Sequence, residues 1–86
     1  MLRSVTFELL ADAEPGLLSR ILVPFVRRDL TPDQVKARRL GEAMQATVVV
    51  EAMPAEMMSL VEGNLRQIVG MRRVEVVLRG MVRAVA

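Results

Sequence analysis

The stretch from Ala11 to Leu30, ADAEPGLLSRILVPFVRRDL, restricts the possible folds more than any other part of the chain. It opens on an acidic turn, Asp12-Ala13-Glu14, followed by Pro15 and Gly16. Leu18, Ile21, Leu22 and Phe25 then recur at three- and four-residue spacing, which places them on one face of a helix. Arg20 and Arg27 fall outside that stripe and Arg28 lies at its border. Arg27 and Arg28 also sit in the last turn, where a cation meets the negative helix end. Proline just inside a helix start is favoured because its missing N–H would be unpaired there anyway. A helix with one apolar stripe needs a surface to lie on, and the flanking segments supply it.

Arg3 to Leu10 alternates, with Val5, Phe7 and Leu9 on one side and Ser4, Thr6 and Glu8 on the other, as in a half-buried strand. Pro24 lies inside the helix and is expected to remove one backbone bond and bend it, at about 3 kcal/mol in a regular interior. Residues 31–45 support two readings. Thr31-Pro32-Asp33-Gln34 has the pattern of a capping box ahead of a short helix. Against it, Val35, Ala37 and Arg39 alternate with Lys36 and Arg38, and Gly41-Glu42 suits a hairpin turn. The following strand, Met44 to Glu51, is dense in β-branched residues, with Ala46, Val48 and Val50 on one face. Strand–turn–strand over 33–51 is the reading adopted.

Pro54 opens a second helix, expected over Ala55 to Val69, with Met57, Val61, Leu65 and Ile68 as its stripe and Gly70 as its stop. Gly63 inside it costs roughly 1 kcal/mol against alanine unless close packing uses the missing side chain. Met53, Met57 and Met58 fall on the apolar face and read as core filler, not as a soft-metal site. Arg72 to Arg79 is the last strand, with Val74, Val76 and Leu78 inward and Arg73, Glu75, Val77 and Arg79 outward. The tail 80–86 either frays or packs on a neighbour. The element order is βαββαβ. Two one-striped helices over a four-stranded antiparallel sheet satisfy one another, and right-handed crossovers fix the strand order 4-1-3-2. The expected class is α+β, a ferredoxin-like sandwich with one bare sheet face, as a single domain over 1–86.

Composition narrows function mainly through what is missing. The 86 residues are 52% hydrophobic and 26% charged, enough for one modest core. No apolar run reaches the ~18 residues of a membrane span. The first residues lack a signal-peptide pattern, so a cytoplasmic setting is expected. Histidine, cysteine, tyrosine and tryptophan are absent. That removes the commonest general base, the thiol nucleophile and the best nitrogen and sulfur metal ligands, so neither catalysis nor a cofactor or metal is expected. The net charge is +2 although the isoelectric point is 10.4, because eleven arginines hold their protons. A nucleic-acid footprint needs those charges on one face. Here they are interleaved with ten acids, which reads as a solvated surface.

Bare-faced sheets of this kind serve several trades. RNA-recognition domains stack bases on exposed aromatics, whereas the two phenylalanines here, Phe7 and Phe25, belong to buried stripes. Metal chaperones of this shape need paired cysteines, and small phosphatases of this shape need an arginine in a first loop that here carries Asp12 and Glu14. The remaining trade is regulatory.

The run Glu14-Pro15-Gly16-Leu17-Leu18-Ser19-Arg20-Ile21, with Phe25 and Arg28-Asp29-Leu30, resembles the first loop and helix of ACT domains. It is most similar to those of acetolactate synthase small (regulatory) subunits. Thr47-Val48-Val49-Val50 and Asn64-Leu65-Arg66-Gln67-Ile68-Val69 through Val74-Glu75-Val76 follow the same pattern, so the likeness covers residues 4–79. It implies a regulatory subunit in branched-chain amino-acid biosynthesis. Its partners would be a second copy or a larger homo-oligomer, the synthase's catalytic subunit and a small amino acid. By the same resemblance the ligand site falls at Ala13, Glu14, Gly16, Leu17, Leu18 and Thr31. Ala13 and Thr31 stand where valine-responsive small subunits carry ligand-holding asparagines, so two amide contacts are missing. Backbone N–H groups of Gly16, Leu17 and Leu18 would meet a carboxylate at the helix start. Asp12 and Glu14 bring competing negative charge to that end. The expected dimer edge is Val35, Lys36, Ala37 and Arg38, an unpaired strand edge open to another chain. The alternative is a free-standing amino-acid-sensing dimer that acts on a different enzyme.

Overall fold

The computed structural model describes residues 1–81. The elements follow the order β1 (Leu2–Asp12), α1 (Leu17–Arg27), β2 (Gln34–Leu40), β3 (Ala43–Pro54), α2 (Ala55–Arg66) and β4 (Met71–Met81). The four strands form one antiparallel sheet in the order β2-β3-β1-β4, the expected split arrangement. Both helices lie on one face. Val5, Phe7, Leu9 and Ala11 of β1 point into the core with Ala46, Val48 and Val50 of β3. The rings of Phe7 and Phe25 meet edge to face at 5.3 Å, which fixes α1 over the central strand. Met53 is fully buried, and Met57 and Met58 pack against the core, so the methionines fill space as expected.

The α1 stripe is rotated from the expected one. Leu17, Ile21, Pro24 and Phe25 are buried, whereas Leu18 and Leu22 flank the contact half-buried. Pro24 is itself a core residue: it lacks an N–H to satisfy and turns an apolar ring inward, which swings the buried arc toward it. Pro15 stands outside the helix. Glu14-Pro15-Gly16-Leu17 is a type II turn, with Gly16 at φ 82° and ψ −10° and the Leu17 N–H donating to Glu14 O at 3.2 Å. The helix ends in a Schellman motif. Leu30 N–H reaches Phe25 O at 2.9 Å and Asp29 N–H reaches Val26 O at 3.1 Å, with Asp29 in the left-handed region at φ 57°.

Residues 33–51 form the expected hairpin, not a helix. Asp33 explains the ambiguity, because its carboxylate does accept a backbone N–H, from Glu51 across the sheet at 2.7 Å. The two-residue turn carries positive φ at Gly41 and not at Glu42, the II′ pattern. Helix α2 stops at Arg66, short of the expected Val69. There the Gln67 and Ile68 N–H groups switch to i−3 carbonyls, which tightens the chain into the turn that Gly70 completes at φ 97°. Gly63 has open space where a Cβ would stand, so no close packing uses the missing side chain. Leu78 shares the inward face with Val74 and Val76 but is exposed, whereas Val74 on the same strand is buried. Of the tail 80–86, Gly80 and Met81 continue β4, and residues 82–86 lie outside the described residues. No helix among the described residues is long and apolar enough to cross a membrane.

Candidate functional site

Two places expected from the sequence can be built from their residues. The first is the loop between β1 and α1, which is fastened on two sides. Asp12 N–H donates to Gly70 O at 2.8 Å, and Ala13 N–H donates to Glu42 O at 2.9 Å. The α2–β4 turn and the β2–β3 hairpin tip therefore both hold it. Arg72 Nε lies 2.6 Å from Asp12 Oδ1 and partly neutralises that carboxylate. A methyl group at Gly70 would stand 3.5 Å from Asp12 Oδ2 and 3.6 Å from Glu14 Oε1, so both acids crowd the mouth of α1.

Ala13, Glu14, Gly16, Leu17 and Leu18 are thus gathered in one turn, but they are not equivalent. The Leu17 side chain is buried in the core and its N–H is already given to Glu14 O. The Gly16 and Leu18 N–H groups make no backbone hydrogen bond among the described residues. With the Ser19 N–H, which likewise makes none, those are the donors left at the positive end of α1. Thr31 is not brought to them within one chain. It follows the far end of an 11-residue helix, about 16 Å away by helical rise, and is exposed.

The second place is the rim of the sheet. Every residue of β2 is exposed, including Val35, Lys36, Ala37 and Arg38. Val35 and Ala37 stand opposite Val48 and Ala46, and Lys36 and Arg38 opposite Thr47 and Gln45. The first pair therefore shares the helix side of the sheet and the second pair its bare side. Helix α2 packs over β4, β3 and β1, which leaves β2 beyond its reach. Both ends of β2 are clamped. Asp33 N–H donates to Val49 O at 2.7 Å, and Arg39 Nε donates to Gly41 O at 2.9 Å. The result is a regular strand with one ladder made and, among the described residues, no strand against its outer edge.

Sequence reasoning missed a third feature, a groove between α1 and α2 lined by Arg20, Arg27, Asn64 and Gln67. Its residues lie some forty positions apart, and no local pattern connects them.

Residues 2–83 match the ACT-like domain family. This chain belongs to the ACT-like domain family. It is a regulatory kind of module. Several solved structures share the fold. The ACT domain from GTP pyrophosphokinase of Chlorobium tepidum superposes with a TM-score of 0.77 at 10% identity, covering 90% of this chain and 100% of that one. An uncharacterized protein from Thermotoga maritima gives 0.77 at 12% identity, over 93% and 100%. The C-terminal domain of the MgtC protein from Mycobacterium tuberculosis gives 0.72 at 12% identity, over 96% and 94%. At these identities the likeness is one of fold alone. No curated protein matches the ACT-like chain in sequence.

Proposed function

We propose that this ACT-like chain is a non-catalytic regulatory and assembly module that pairs edge to edge through β2. Its client is the catalytic subunit of an acetolactate synthase, the enzyme to which the first-loop resemblance points. One observation carries the pairing: β2 is a straight strand, clamped at both ends and exposed along its whole length. An unpaired outer ladder of that kind is a template for a second strand. Sedimentation velocity at micromolar concentration tests it. A dimer or larger species is expected, and a monomer overturns the pairing. For the client, the chain is mixed with an acetolactate synthase catalytic subunit from the same source. A gain in synthase activity is expected, and no gain and no pull-down removes that client.

The free N–H groups of Gly16 and Leu18 favour a second reading, an amino-acid-sensing dimer acting on another enzyme. Calorimetry with valine, leucine and isoleucine separates the two. Binding that disappears in Gly16→Val, with the circular dichroism of the folded chain retained, supports the sensor. Silence across the panel leaves assembly as the role.

A further inference from the structure

Neither the rim nor the first loop accounts for the groove on the outer side of the helix layer. It has a volume of about 260 Å³ and is bounded by Arg20, Pro24 and Arg27 of α1 and by Asn64, Gln67 and Ile68 at the end of α2. That is just under the lower end of small-molecule sites, which start near ~300 Å³. The base is apolar, since Pro24 is buried and Ile68 packs against the core. The polar side chains around it are two guanidiniums and two amides, and among the described residues no carboxylate lines the groove.

Those side chains are also unspent. Among the described residues, Arg20 and Arg27 make no salt bridge and no side-chain hydrogen bond, and neither do the Asn64 and Gln67 amides. The neighbouring arginines differ: Arg28 donates to Pro24 O at 3.4 Å, and Arg66 is held by Glu62 at 2.7 Å. Arg20 and Arg27 are two helical turns apart, roughly 10 Å along the axis. Both arginines line the groove together with Pro24, which stands between them on α1. Two exposed guanidiniums beside one apolar base, with no acid lining it among the described residues, leave their donors open to an anion. Guanidinium forks match carboxylate and phosphate oxygens in a paired geometry.

We propose that this groove binds a small organic oxyanion carrying two negative charges, with Arg20 and Arg27 on the charge and Asn64 and Gln67 donating to its remaining oxygens. A phosphate monoester and a dicarboxylate share that chemistry. The site stands apart from β2, so it does not depend on the pairing or on the client proposed above.

The test uses the full chain in titration calorimetry with inorganic phosphate, succinate and acetate at one ionic strength, and maps amide NMR shifts on the same samples. Saturable binding of phosphate or succinate is expected, about tenfold tighter than acetate, with shifts centred on residues 20–27 and 64–68. The exposed double variant R20Q/R27Q should melt like the parent and lose about tenfold or more in affinity. Phosphate alone binding assigns a phosphate ester, and succinate alone assigns a dicarboxylate. No saturable binding overturns the proposal, as does acetate binding equally well or an affinity unchanged in R20Q/R27Q. Sedimentation of the same samples reads the pairing separately, so a monomer that binds phosphate removes the pairing and keeps the groove.

Discussion

Strands β1 and β2 belong to the same sheet and are separated in it by β3 alone, yet they live in opposite surroundings. β1 has a strand on either side and the helix layer above, and Val5, Phe7 and Ala11 are fully buried. β2 has one neighbouring strand among the described residues, and its Val35 and Ala37 stay wet although they share the helix side with buried Val48 and Ala46. The inward face of β1 carries Val5, Phe7, Leu9 and Ala11, whereas that of β2 carries Val35, Ala37 and Arg39. Side-chain size and position in the sheet together decide which strand holds the fold together and which stays exposed.

The sharpest way to break that contrast is to truncate the buried side. Phe7→Ala should cost about 3–5 kcal/mol in denaturant unfolding, a large share of the stability of a domain this size. A loss below ~1 kcal/mol would mean that β1 is not the centre of the core. On the rim the same kind of measurement should barely respond. Val35→Lys with Ala37→Lys should move stability by no more than ~0.5 kcal/mol while sedimentation shifts to monomer. If that variant unfolds instead, β2 belongs to the core and the contrast fails. Asp33→Ala lies between these extremes. It removes the 2.7 Å bond to Glu51 N–H and should cost about 1 kcal/mol, with faster amide exchange at the base of the hairpin.

Gly63→Ala probes the helix layer from the other direction. Open space at that Cβ means the variant should gain roughly 0.5–1 kcal/mol, and a loss would reveal packing that the empty surroundings do not show. The smallest effect is electrostatic. A two-fold pairing of β2 centred on Ala37 sets Lys36 of one copy opposite Arg38 of the other, and like charges in that position oppose each other. Raising salt from about 50 mM to about 500 mM should therefore tighten the dimer a few-fold by screening. Weakening with salt would rule out that register.

The architecture was legible because its elements keep two different periods. Alternation marked the strands, three- and four-residue spacing marked the helices, and Gly41 and Gly70 sat where turns require them. What escaped was set by long-range geometry. Thr31-Pro32-Asp33-Gln34 looks like a helix cap because a short carboxylate on a backbone N–H is the same chemistry whether the N–H is three residues or eighteen away. Pro24 looked like a defect in α1 and is instead part of its buried face, which rotated the stripe away from Leu18 and Leu22. Leu78 alternates in step with Val74 and Val76 yet is exposed where Val74 is buried, a difference along one strand that alternation cannot express. In the candidate site, the loop from Ala13 to Leu18 was visible as a contiguous run, whereas the Arg20–Gln67 groove needs two helices laid side by side.

One carbonyl joins the first loop to the β2–β3 hairpin. Glu42 O, at the tip of the β2–β3 hairpin, receives the Ala13 N–H and so fastens the hairpin to the turn that launches α1. A grip on the hairpin is then also a grip on that turn, and stiffening either one lowers the entropy left for the other to lose. Were both ends to take a partner, any coupling through this bond would be the same in both directions.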